Sequence, residues 1–263
     1  MPSSYTHQRF AEDLLNNLPK EISSLIKKYP IHYIIGALGS DPLYFYKPLK
    51  GSPLYALSDE IHSNGIHNIL LNNRDLEDEK MISYLFGLIT HYVLDKNCHQ
   101  YIHKIDKDGA KHHIYEAFLD WGYAISDIDT GKKVDFVKRI DDKGNDFSFI
   151  FKIFNIDEKQ FKSSIHSMKR LNSILLTQNK FVRFISKLCL STSKSFKKYK
   201  DIIFYPEKRD FLNFDSYKEL HEIVESSKSE CIDDIVIYYE YLKANRDDIS
   251  FGDRYSFEGY ILK

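Results

Sequence analysis

Apolar residues recur at helical spacing from the start of the chain. Phe10, Leu14, Leu15, Leu18, Ile22, Leu25 and Ile26 predict an amphipathic helix over 7–28. Pro30 and the run Gly36-Ala37-Leu38-Gly39-Ser40-Asp41-Pro42 interrupt the pattern. A second helix is expected over 55–71 and a third over 78–102. In the third, Met81, Ile82, Leu85, Phe86, Leu88, Ile89, Tyr92, Val93 and Leu94 surround the axis, and a helix apolar on nearly every side is a buried one. The period returns over 110–126. Residues 130–150, with Gly131 and Gly144 among many charges, read as an exposed connection. Further helices are expected over 157–176, 178–190 and 215–244. Nothing alternates as a set of strands would, and there is no repeat. The simplest account is one all-α, multi-helix domain over 1–263.

Composition narrows the class. Of the 263 residues, 43% are apolar and 29% charged, which fits a folded globular chain and not a disordered one. The formal net charge of −1 gives no global attraction to nucleic acid or anionic membranes. Tyr and Phe, 19 and 18 in number, suit helix–helix contacts and aromatic-lined pockets alike. The apolar runs, such as Ile34 to Leu38, fall short of the ~18 residues of a membrane span, so no stable membrane insertion is expected. The opening Met1-Pro2-Ser3-Ser4-Tyr5 has neither the basic start nor the apolar stretch of a signal peptide. Cys98, Cys189 and Cys231 are odd in number and widely spaced, as reduced thiols are, and the expectation is a cytoplasmic protein. Lys194, Lys197, Lys198 and Lys200 read first as a solvated helix face, with a phosphate- or membrane-facing patch as the alternative.

The chemistry concentrates on the buried helix. His91, Asp95 and His99 are four residues apart in succession and stay on one face at about 100° per residue. Among apolar neighbours, an imidazole and a carboxylate cost several kcal/mol to bury unless both are satisfied. A divalent cation satisfies them together; a hydrogen-bonded His–Asp pair in a core is the other reading. The next helix repeats the spacing with His112 and Glu116. His113 falls elsewhere on that helix and reads as exposed, and His103, which extends the row of His91, is a spare candidate that reads first as a surface residue near the helix end.

In this order the motifs resemble the zinc-dependent phospholipase C family. Thr6-His7 with Phe10-Ala11 resembles the family's opening helix, and Gly36-Ala37-Leu38-Gly39-Ser40-Asp41-Pro42 its Gly-x-x-Gly-Pro-Asp segment. His62 follows on the next helix, then His91-Tyr92-Val93-Leu94-Asp95-Lys96-Asn97-Cys98-His99, then His112-x-x-x-Glu116. Ser216-Tyr217-Lys218-Glu219-Leu220 resembles the start of the family's last long helix. Ser40 and Gln100 stand where the family commonly has proline, and neither position is a ligand.

The resemblance implies an all-α fold and two or three zinc ions. Asp41, His62, His91 and Asp95 would hold one ion; His99, His112 and Glu116 a second, with open positions for water or substrate. His7 would share Asp95 with a third, which in the family is completed by the mature N-terminal residue. Only six residues precede His7, with Pro2 terminal if Met1 is removed. His62 is preferred to His67 because Ile69 and Leu70 then match the family's apolar pair. Three zinc ions bring six positive charges against three negative ones from Asp41, Asp95 and Glu116, an excess suited to a phosphodiester and hydroxide. The implied activity is hydrolysis of a phosphate ester, phospholipid among the candidates, with Asp41 orienting or deprotonating the attacking water. Tyr44, Phe45 and Tyr46 either line the mouth of the cleft or pack in the core. Two alternatives stand: a nuclease or nucleotidase of similar three-zinc architecture, disfavoured by the neutral charge, and a non-catalytic binding protein stabilised by its metals.

Overall fold

The helices form where the periodicity places them, and stop where the backbone or a close contact forbids continuation. A computed structural model describes residues 4–47, 52–132, 134, 140, 143–175, 177, 179–192 and 203–262. Among these the all-α expectation holds: eleven α-helices and no strand. The stretch read as one helix over 7–28 is two, α1 (Ser4–Leu14) and α2 (Lys20–Lys28). Pro19 precedes α2, and a proline does not let the helix before it run on. Pro30, read as a breaker, instead opens α3 (Pro30–Gly36), because its missing N–H costs nothing in a first turn. A 3-10 turn over Asp41–Phe45 follows.

The helix expected over 55–71 is also two, α4 (Pro53–His62) and α5 (His67–Asn72). Gly65 lies between them. A Cβ there would fall 2.1 Å from the Gly252 carbonyl, so the break is where the C-terminal segment presses on the chain. The third helix appears as α6 (Glu79–Ile105), capped by the Asp78 side chain, which accepts from the Met81 N–H at 3.1 Å. It is followed by α7 (His112–Asp129), α8 (Ile150–Phe154), α9 (Glu158–Leu175), α10 (Lys180–Thr192) and α11 (Asp215–Leu242). The connection over 130–150 is not simply exposed. Val134, Ile140, Phe147 and Phe149 are buried, and the Phe147 ring packs on His32 at 4.9 Å. Its charges hid apolar residues too irregular to show a period. The cluster Lys194, Lys197, Lys198 and Lys200 lies outside the described residues.

The centre of the molecule is α6, buried along almost its whole length between α3 and α11. On one side the backbones of α3 and α6 meet at two glycines. A Cβ on Gly36 would fall 2.0 Å from the Tyr84 carbonyl oxygen, and one on Gly87 2.0 Å from that of Tyr33. On the other side α11 lays Val224, Cys231, Ile235 and Tyr238 in the core. Gly87→Ala is therefore expected to push α3 away and cost about 1–3 kcal/mol, measurable in a denaturant titration, because backbone cannot yield as a side chain does. An unchanged midpoint would mean that the helices are not in this contact.

Beyond α11 the chain folds back. Tyr255 and Ile261 form an isolated antiparallel bridge, and the Phe257 and Glu258 N–H groups donate to the carbonyls of Asn64 and His62 at 3.1 and 3.2 Å. The turn rests on α6 at Gly259 (φ +74), where a Cβ would fall 2.7 Å from the Lys96 carbonyl oxygen. This hairpin was not legible as an element, and it matters for the site.

Candidate metal centre

The site is built from the interior of α6 outward. His91, Asp95 and His99 lie on one face of the helix and are all buried, His91 completely. Helix α1 packs across α6 and α7, and brings in His7. Its start is held by Asp120 of α7, which accepts from the Thr6 N–H and hydroxyl at 2.7 Å each and from the Tyr5 N–H at 3.3 Å. Those bonds fix where His7, one residue further on, can reach. Its Nε2 stands 3.1 Å from Asp95 Oδ1.

Asp95 is the hub. His91 Nε2 lies 3.2 Å from its other oxygen, Oδ2, and His62 Nε2 lies 3.8 Å from the same atom. His62 also reaches Asp41 Oδ1 at 3.2 Å, which ties the 3-10 turn to α4. The turn passes over the His91 ring at Gly39 (φ +56), where a Cβ would fall 2.2 Å from Cδ2 of that ring; only glycine fits. A second cluster sits one turn further along α6. Glu116 Oε1 is 3.2 Å from both His99 Nε2 and His112 Nε2. All eight residues expected from the sequence are thus brought together. His67 is not among them: its Nδ1 pairs with the Phe251 carbonyl at 2.9 Å.

Outer partners aim the rings. His62 Nδ1 lies 2.8 Å from the Ser58 carbonyl, which can only accept, so Nδ1 carries a proton and Nε2, which faces the carboxylates, is the nitrogen that would ligate a metal once its own proton is displaced. His99 is set likewise, its Nδ1 donating to the Phe257 carbonyl at 3.2 Å. Of the aromatic run, Phe45 and Tyr46 are core, whereas Tyr44 lies tilted against His62, ring centroids 5.6 Å apart, and donates to Asp59 at 2.8 Å.

The donor set fits a metal better than it fits itself. Neither nitrogen of the fully buried His91 makes a hydrogen bond, nor does Nδ1 of His7. Such orphaned groups cost roughly 1–3 kcal/mol each unless something binds them. Burial lowers His91 to about 4, so its ring is neutral and keeps a lone pair to give. Burial opposes ionisation of Asp95, but the imidazoles of His91, His99 and His7 outweigh it and hold the carboxyl well below the usual range. Burial also opposes charge on His99, yet Asp95 and Glu116 push it up to about 10, a proton that a metal would displace. Among the described residues, donor atoms within 4.8 Å of one another form three groups: His7, Asp41 and His91; His62, His91 and Asp95; His99, His112 and Glu258. A cavity of about 10 Å³, room for one water or ion, lies between His7, Asp95, His99 and Glu116. A cleft of about 700 Å³ beside His67 and Gly252 contains none of the eight donors and is not the chemical centre.

A family model for zinc dependent phospholipase C matches residues 6–171. The chain belongs to the zinc-dependent phospholipase C family. The matched region spans well over half the chain and holds every donor from His7 to Glu116. No curated protein and no solved structure was found to match. The family is one of phospholipase C-type hydrolases that depend on zinc, and the His and Asp groups described above are able to hold such ions. Among the described residues no helix is long and apolar enough to cross a membrane.

One donor was missed. Glu258 of the C-terminal hairpin places Oε2 3.6 Å from His99 Nδ1 and 3.3 Å from His103 Nε2. His103, read as a surface residue, is three-quarters buried and stacks on Tyr260 at 4.7 Å. His113, read as exposed, is half-buried. The sequence held little signal for Glu258. It sits in a short tail with no period, beyond the matched region, and the nearby Gly252 and Gly259 mark only turns.

Proposed function

We propose that the protein is a zinc-dependent phosphoric diester hydrolase of the phospholipase C type. The observation that carries this reading is Asp95: a buried carboxylate whose two oxygens face His7, His91 and His62 within 3.1–3.8 Å. Asp41, His62, His91 and Asp95 would hold one ion, and His99, His112 and Glu116 a second. His7 would share Asp95 with a third. Zinc, when bound, supplies Lewis acidity that makes hydroxide available near neutral pH and offsets phosphate charge.

The chain's own residues do the rest. Asp41 stands with one oxygen on His62, and its second is the candidate to orient the attacking water and take up its proton. Burial raises the Asp41 carboxyl, but the His62 hydrogen bond outweighs it, so in the apo protein Asp41 is ionised and able to accept. Ser58 and the Phe257 carbonyl keep His62 and His99 in the tautomers that ligation needs. Tyr44, half-buried beside His62, would line the mouth of the cleft. A cytoplasmic location and a phospholipid substrate belong to this proposal as well.

Protein prepared without chelator should carry two or three equivalents of zinc by elemental analysis. Less than one, after supplementation, would refute the reading. A panel of phosphomonoesters, phosphodiesters, phospholipids and single-stranded nucleic acid then tests the activity. Cleavage of phosphodiesters and phospholipids supports the proposal; cleavage of nucleic acid alone makes it a nuclease. No turnover with zinc bound makes it a metal-stabilised binding protein. Asp41→Asn is expected to fold and melt close to the parent while losing at least ~100-fold in turnover. Retained turnover would remove Asp41 from the mechanism.

A further inference from the structure

Helix α10 does not face inward as a core-covering helix does. Phe181, Phe184, Ile185 and Leu188 fall at i, i+3, i+4 and i+7 and form one stripe. The stripe is turned to solvent, with Phe181 72% exposed, Phe184 64% and Leu188 57%. The opposite side buries Arg183 and Ser186. Arg183 donates to the Phe204 carbonyl at 3.3 Å and through both terminal nitrogens to the Glu207 carboxylate at 3.2 Å each. The helix is thus pinned through its polar side, and the outward stripe is a consequence of that pinning. An apolar side chain of this size gains roughly 1.5–3 kcal/mol when it leaves water, so the arrangement is costly unless something covers it.

Charge identifies the cover. Residues 159–200 contain eleven Lys or Arg and no Asp or Glu, in a chain whose net charge is −1. In α10 itself, Lys180 and Lys187 are exposed and lie at one edge of the apolar stripe. An apolar ridge edged with lysines matches a bilayer interface, where rings and aliphatic chains enter the headgroup boundary and ammonium groups meet lipid phosphates. A second copy would set two basic segments face to face, at an electrostatic cost. Nucleic acid would meet the lysines, but Ile185 and Leu188 have no flat ring for a base to stack on.

We propose that α10 is an interfacial docking helix, which seats the protein on an anionic phospholipid surface through Phe181, Phe184, Ile185 and Leu188, with Lys180 and Lys187 at the headgroups. The family match ends at residue 171, so it does not bear on this helix. Docking also requires no turnover and stands apart from the metal centre. The test is flotation of the full-length, zinc-loaded protein with vesicles of phosphatidylcholine alone and of phosphatidylcholine mixed with phosphatidylglycerol. Binding is expected to the mixed vesicles, to weaken with salt, and to fall at least ~10-fold in the variant F181S/F184S/L188S. Because those residues are exposed, the variant's far-UV circular dichroism and its cleavage of a water-soluble phosphodiester should match the parent. A double variant K180E/K187E should lose the preference for phosphatidylglycerol. The proposal is overturned if the parent fails to float with mixed vesicles or if the triple variant floats equally well. It is also overturned if sedimentation shows a dimer that the triple variant abolishes, or if an oligonucleotide binds through the same residues while vesicles do not.

Discussion

Asp95→Ala is expected to lower stability by about 3–5 kcal/mol and to strip the protein of at least one zinc ion. The magnitude follows from what is left behind. Three imidazoles converge on this carboxylate, two of them, His7 and His91, with ring nitrogens that have no other hydrogen bond. Removing one member of a buried charged cluster leaves its partners desolvated, and cavity formation adds to the cost. In a chain of this size, the melting temperature should fall by at least ~6 °C. Asp95→Asn separates charge from shape: it keeps the volume, and should recover part of the stability without recovering the metal. The measurements are thermal melting and elemental analysis on each variant. A parent-like melt with full zinc content in Asp95→Ala would show that α6 does not present this residue to the cluster.

Graded removal of metal should have a comparable effect, in two stages. Mild chelation is expected to withdraw one equivalent first, with helicity intact, and exhaustive chelation to lower the melting temperature further. The reason lies in the donor count. His99, His112 and Glu116 converge within 3.2 Å contacts, and in the proposed assignment His62, His91, Asp95 and Asp41 would supply a second full set. His7 brings one nitrogen to a carboxylate already shared, whereas tight zinc sites take three or four protein ligands. His7→Ala should therefore reproduce the partly chelated state, and activity should fall with it if that ion belongs to the catalytic group. Loss of all metal in one step together with the fold would show that the His7 site has a full ligand set. Zinc titration monitored by circular dichroism distinguishes the two outcomes.

The legible part of this protein was the part with a period. His91, Asp95 and His99 could be placed on one face of a buried helix because their neighbours are apolar all round and the helical repeat is regular. His112 and Glu116 followed by the same spacing. Asp41 and His62 have no such signature. They stand in a turn and at a helix end, and became candidates only through the order of motifs shared with a family. The helix breaks near Pro19 and Gly65 were missed for different reasons. Pro19 lay inside an apolar rhythm that continued on both sides of it, while the Gly65 break answers to a contact with Gly252, far along the chain. Glu258 lay beyond reach for the same cause. Its position is set by hydrogen bonds of the hairpin to Asn64 and His62, contacts that no local pattern encodes. The helix over 178–190 was legible, but not its outward stripe: which side is buried is decided by Arg183 and Glu207.

The fold-back of the hairpin onto α4 and α6 sets an order of assembly. A ribosome delivers His7 before the other candidate ligands and Glu258 after them all. Helices α1 to α7 can associate while the chain is still being extended, but the Phe257 carbonyl that orients His99 arrives only long after α7. Any ion captured earlier would sit beside an imidazole free to turn. Nascent chains halted before the hairpin should accordingly exchange zinc faster than chains that include it, so that a late segment acts as the latch on helices folded earlier.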